Sequence, residues 1–180
     1  MAYAGALGET DARYFDTTAA AGPVAHPLFS VCYEWPLAVE LRERAIGEAI
    51  APFSVHATHD VVIHRQTQVP ISGQLAHVYT ECARIWNPIH TDIAVARKAG
   101  LPGLILHGTA TLALAVSRVV ARELHGDPGR VRGVAARFTG MVAMPSVVTV
   151  RGYESQRGQL PFDVVDAAGH PVLGRGVVKA

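Results

Sequence analysis

The chain has 180 residues, 49% of them hydrophobic and 17% charged, with a formal net charge of +1. That length fits one ordinary domain or two very small ones, and the composition supplies a core and excludes a disordered chain. Near-neutral charge also excludes the clustered basic face with which a nucleic-acid binder displaces phosphate counterions.

Taken from the start, MAYAGALGETDARYFD has neither a basic n-region nor an apolar h-region, so no signal peptide is expected. The most apolar run, residues 109–116, is too short to span a bilayer. A soluble, cytoplasmic chain with no membrane partner is the expectation. Cys32 and Cys82 stand fifty positions apart without CxxC or Cys/His spacing, which predicts two buried free thiols in a reducing compartment.

In the first third, LAVELRERA (37–45) predicts a helix and FSVHATHDVVIHRQ (53–66) a strand. ISGQLAHVYTE (71–81) also has the alternation of a strand, which would carry Glu81 into an Asn-Pro corner at Asn87 and Pro88. TDIAVARKA (91–99) predicts a short helix capped by Thr91 or Asp92 and ended by Gly100 and Pro102. A longer helix follows in HGTATLALAVSRVVARELHGDPG. There Leu112, Leu114, Val116, Val119, Val120 and Leu124 cover nearly all sides, so it should be buried all round until Gly126, Pro128 and Gly129 stop it. Beyond lie four runs of strand length, at 132–142, 146–155, 159–169 and 170–180, with DAAGHP as a hairpin loop. Pro161 predicts an edge strand or a bulged one. One long buried helix followed by a meander of strands is an α+β layout, a helix wrapped by a curled antiparallel sheet.

The two halves echo each other. GETDARYFD (8–16) laid over RIWNPIHTD (84–92) puts Glu9 on Ile85, Asp11 on Asn87, Tyr14 on His90 and Asp16 on Asp92. After a gap of five residues, VAHPLF (24–29) falls on ILHGTA (105–110) and His26 on His107. The expected division is a partial, degenerate first unit over 1–68 and a complete unit over 69–180.

At these residues the sequence resembles the MaoC-like family of (R)-specific enoyl-CoA hydratases and dehydratases, which have the hot-dog fold. The family pattern runs Tyr-x-Glu-x-Ser-Gly-Asp-x-Asn-Pro-x-His-x-Asp, then His-Gly at the start of the long helix. YTECARIWNPIHTD keeps Tyr79, Glu81, Asn87, Pro88, His90 and Asp92, and LILHGT keeps His107 and Gly108. The family's Ser-Gly-Asp is Ala83-Arg84-Ile85 here. The resemblance implies that this Asp forms a water-activating dyad with the histidine, and that half of the dyad is gone.

Adding water to an enoyl thioester needs a base for water, an acid for the α-carbon and donors for the thioester oxygen. His90, with an imidazole titrating near neutrality, is the candidate base. Asn87, His107, Gly108 and Thr109 are candidate substrate-binding residues. Gly108 would let a carbonyl approach the unpaired N–H groups at the helix start, and Thr109 and Thr111 would add hydroxyl donors. A substitute acid is sought in Glu9 or Glu81, while Asp92 is read as a helix cap. The remaining histidines (His56, His59, His64, His77, His125 and His170) lack a motif and are read as ordinary polar residues. No histidine cluster has metal-ligand spacing and no nucleotide fingerprint is present, so neither metal nor cofactor is expected.

Two functions stay open. One is an enzyme of acyl-thioester metabolism, acting on acyl-CoA or an acyl carrier protein; the other is a non-catalytic thioester-binding or partner subunit, with a hot-dog thioesterase less favoured. Exposed sheet edges predict a homodimer or higher homo-oligomer.

Overall fold

A computed structural model describes residues 1–29, 32, 40, 44 and 65–180. The helix expected at 37–45 lies outside the described residues apart from Glu40 and Arg44, which form an ion pair at 2.6 Å. The strand expected at 53–66 lies outside them apart from its last two residues.

The chain opens with the short helix α1 (Ala2–Ala6) and a one-turn 3-10 helix (Ala12–Tyr14). Strand β1 (Arg65–Ile71) is followed by α2 (Leu75–Ala83), a second 3-10 turn (Pro88–His90) and α3 (Ile93–Lys98). Strand β2 (Ile105–Leu106) leads into the long helix α4 (Gly108–Glu123). Past a third 3-10 turn come β3 (Gly133–Phe138), β4 (Val142–Ala143), β5 (Ser146–Gly152), β6 (Gln159–Val165) and β7 (Pro171–Lys179).

Five strands form one antiparallel sheet in the order β1-β5-β6-β7-β3, and β2 pairs with β4. Helix α4 lies on this sheet with Ala110, Thr111, Ala113 to Ser117, Val119 and Val120 all buried, so the expectation of a nearly encircled helix holds through its middle turns. Small alanines let the sheet approach the helix axis, and the branched residues fill the gap against Phe162, Val164, Leu173 and Val178. The helix stops where His125 and Gly126 turn left-handed (φ 54° and 75°), which lets the Gly126 N–H close on the Val120 carbonyl. The β6–β7 hairpin is the expected one: Asp166 accepts the backbone N–H groups of Ala168 and His170, and Gly169 supplies φ +85°.

One expectation needs correction. Residues 71–81 are not one strand: β1 ends at Ile71 and residues 75–83 are helical. Ala76, Tyr79, Thr80 and Ala83 are the reason, because their i, i+3, i+4, i+7 spacing makes a buried stripe that packs on α1 and the core. Arg84 then ends the helix left-handed at φ 57°. Of the two alternatives that Pro161 offered, the bulged strand holds and the edge strand does not: β6 lies between β5 and β7, and its register with β7 shifts just past Phe162. Pro161 is accommodated where the β5 ladder gives out, its carbonyl accepting from Tyr153, and the strand is irregular between Phe162 and Val165.

Candidate active site

The 3-10 turn that carries His90 is held at both ends by acidic or amide side chains. Asn87 Oδ1 accepts the Ile89 N–H at 3.3 Å, and Asp92 Oδ1 accepts from Ala94 and Val95 at 2.7 and 3.2 Å, capping α3. His77 on α2 donates to the Thr91 carbonyl at 3.1 Å and ties α2 to the same turn. His90 is thereby fixed on a short, stiff piece of backbone.

Its ring is fixed as well. Nδ1 lies 2.8 Å from the Ile105 carbonyl, an acceptor only, so Nδ1 carries the proton and Nε2 is the nitrogen with the lone pair. Burial holds the His90 pKa below the ordinary value of 6.5, against the opposing pull of the Ile105 carbonyl. A neutral imidazole with its Nε2 unprotonated is a general base in its working form.

The ring of His90 stacks on that of His107, centroids 3.8 Å apart and planes at 29°. His107 is the N-cap residue of α4, which places the base against the first turn of the buried helix. His107 is itself 2% exposed. Its Nε2 faces Thr80 Oγ1 at 3.2 Å and the Ile85 carbonyl at 3.3 Å, so Nε2 holds the hydrogen. Burial, reinforced by His90, pushes its pKa down to about 3. Of the stacked pair, therefore, His90 is the one that takes a proton.

Next to them the start of α4 is open: Gly108 is exposed and Thr109 half-buried. A Cβ on residue 108 would stand 2.9 Å from Phe138 Cδ1, so any side chain there would press on the Phe138 ring of β3. Tyr79, fully buried on α2, donates to Thr109 Oγ1 at 3.1 Å.

Of the residues singled out from sequence, His90 and His107 stack beside Gly108 and Thr109 at the start of α4, and Asn87 caps the turn that carries His90. The two candidate acids do not join them in a common contact. Glu81 is on the exposed side of α2, not on a strand, and accepts from the Trp86 indole at 3.3 Å. Glu9 lies beside His26, Oε1 to Nε2 3.8 Å. Ile85, where the resemblance implies an Asp, is 2% exposed in the apolar core.

Tyr3 went unnoticed in the sequence. Its hydroxyl meets that of Tyr79 at 3.1 Å, and the two residues are 76 apart, the same offset that lays Glu9 on Ile85. Extending that register by a few residues would have found it. The local structures agree: α1 and α2 are each followed by a left-handed residue, Gly8 or Arg84, then by a 3-10 turn capped by Asp11 or Asn87.

The MaoC like domain matches residues 54–166 of this chain. The enoyl-CoA hydratase ChsH3 of Mycobacterium tuberculosis is 32% identical over 112 residues, 62% of this chain and 39% of that protein. The solved peroxisomal multifunctional enzyme type 2 of Drosophila melanogaster superposes with a TM-score of 0.63 at 27% identity, covering 74% of this chain and 25% of that one. HtdX of Mycobacterium tuberculosis shares the fold over 98% of this chain and 91% of its own, with a TM-score of 0.67 at 16% identity. The chain spans well under half the length of the curated relatives it matches, 39% of ChsH3 and 4% of a fatty acid synthase β subunit from Aspergillus oryzae.

Proposed function

The chain belongs to the MaoC-like domain family, with its hot-dog fold, and from that premise we propose that it hydrates 2-enoyl thioesters and dehydrates the corresponding 3-hydroxyacyl thioesters. The observation that carries this reading is the fixed tautomer of His90: Nδ1–H tied to a carbonyl, Nε2 unprotonated, beside the first turn of α4. His90 works as a single base. Its Nε2 takes a proton from water as the water oxygen bonds to the β-carbon. The resulting imidazolium then gives that proton to the α-carbon, so one water is consumed and the base is regenerated. Between the two transfers, negative charge on the thioester oxygen is held by the N–H groups at the start of α4 and by the Thr109 hydroxyl. Neutral His107 lies stacked against the His90 ring, its Nε2–H turned to Thr80 and the Ile85 carbonyl.

The substrate is an acyl group on coenzyme A or on an acyl carrier protein, and the protein acts as a cytoplasmic homodimer. Among the described residues no helix is long and apolar enough to cross a membrane, and β3 has a neighbour on one side only. The first unit, residues 1–68, is a partial and degenerate copy and the complete unit is residues 69–180; β1 (Arg65–Ile71) runs across that division. The buried Ile85 favours one other reading, a thioester-binding subunit whose acid comes from another chain.

Purified protein is expected to hydrate crotonyl-CoA, read as loss of the conjugated thioester absorbance. His90→Ala should lower kcat by roughly a hundredfold or more, the worth of a positioned base, with an unchanged circular dichroism spectrum. Equal turnover by a folded His90→Ala protein removes His90 from the mechanism. No turnover by the wild type, with butyryl-CoA still bound, decides for the binding subunit.

A further inference from the structure

Thr109 is the second residue of α4, beside Gly108, and its hydroxyl is not isolated. Tyr79 donates to Thr109 Oγ1 at 3.1 Å, and the Tyr3 hydroxyl lies 3.1 Å from that of Tyr79. A phenol has one hydrogen. Since Tyr79 spends its own on Thr109, the Tyr3 hydroxyl must be the donor to Tyr79. The order is therefore fixed as Tyr3 to Tyr79 to Thr109, and the hydrogen of Thr109 is used by neither tyrosine.

Both phenols are buried, at 2% and 0% exposure. Burial, with Tyr79 adding to it, raises the Tyr3 pKa above the phenol range, and burial pushes that of Tyr79 up to about 12. Each stays protonated at any working pH. Aligned hydroxyls in a dry interior polarise one another, so each donor in such a chain is stronger than it would be alone. The far end of the chain is Tyr3 on α1, in the part of the protein that precedes β1 and carries none of the residues placed at the thioester.

We infer that Tyr3 and Tyr79 are positioning residues for the reaction, a hydroxyl relay that turns the Thr109 hydrogen toward the thioester oxygen. The N-terminal segment thus contributes to the site by orienting a donor. This rests on the hydratase reading above, and it assigns that segment a catalytic purpose beyond packing.

The test is a double-mutant cycle in the full-length protein with crotonyl-CoA as substrate. Thr109→Val should lower kcat by roughly a hundredfold, as loss of one oxyanion donor does, with a much smaller effect on KM. Thr109→Ser, which keeps the hydroxyl, should recover most of it. Tyr3→Phe should lower kcat roughly threefold to tenfold in the wild-type background, the worth of one hydrogen bond. In the Thr109→Val background it should cost less than about twofold, because there is no hydroxyl left to orient. A loss from Tyr3→Phe that is equal in both backgrounds, or absent from both, overturns the relay. If the wild type hydrates nothing, the hydratase reading has failed on its own terms. The relay is then judged from the Tyr79 Cζ resonance of ring-labelled protein, which should move in both Tyr3→Phe and Thr109→Val. A resonance unmoved by either substitution overturns it.

Discussion

Position 85 holds the most informative side chain in the protein. The backbone there does what the motif needs, since the Ile85 carbonyl receives the His107 Nε2–H at 3.3 Å and so helps to set the ring on which His90 stacks. The side chain has instead joined the core. A site that has lost its carboxylate but kept the framework around it should respond to restoration. Ile85→Asp is expected to raise the hydration rate by about tenfold or more by supplying a second group to water. The same change should lower stability to urea by about 2–4 kcal/mol, the cost of a carboxyl in an apolar cluster. If stability falls and the rate does not rise, the acid is supplied elsewhere or hydration is not the reaction. The motif pointed to His90, Asn87, His107 and Gly108, and the structure stacks His90 on His107 beside Gly108; Thr109 was nominated for its hydroxyl, and Glu9 and Glu81 by register and proximity in the chain. Neither of those signals encodes which way a side chain points, and Glu81 turns outward to Trp86.

Among the elements, α3, α4 and the four longer strands β3, β5, β6 and β7 were readable because each has a strong period and a marked end, whereas the two-residue β4 was not. Asp92 caps α3 and the left-handed pair His125–Gly126 ends α4. Helix α2 was not readable, because its buried stripe is made of Ala, Tyr and Thr, which hydropathy alone does not separate from a strand. The junction of α4 with β3 carries a prediction of its own. Gly108→Ala places a methyl 2.9 Å from the Phe138 ring, so either the ring or the first turn of α4 must shift. Turnover should fall by roughly tenfold or more from the displaced donors, while stability to urea changes by less than about 3 kcal/mol. Unchanged turnover, with the first turn of α4 shown to be displaced, would mean that this turn does not hold the thioester oxygen.

Across the whole molecule the aromatic rings form a nearly palindromic row. Tyr14, His26, Tyr3, Tyr79, His107 and His90 follow one another at centroid separations of 5.9, 5.4, 5.6, 5.1 and 3.8 Å. The turn of symmetry falls between Tyr3 and Tyr79. The alignment of the two halves pairs the ends of this row, Tyr14 with His90 and His26 with His107, and its block began at Gly8, short of the centre. The symmetry is broken chemically. His26 donates from Nε2 to Ser117 Oγ at 3.0 Å and accepts the Leu28 N–H at Nδ1, and burial takes its pKa down to about 4. With His107 at about 3, two of the three histidines in the row stay neutral throughout the working range, and His90 is left to titrate.

That asymmetry gives the most direct test, the pH dependence of kcat/KM for crotonyl-CoA hydration. His90 must be neutral to act, and burial lowers its pKa from 6.5. The rate should therefore be lost in acid, rise through a single ionisation below pH 6.5 and stay level above it. A rate that declines as pH rises above 6.5 would require a protonated histidine and would contradict His90 as the base.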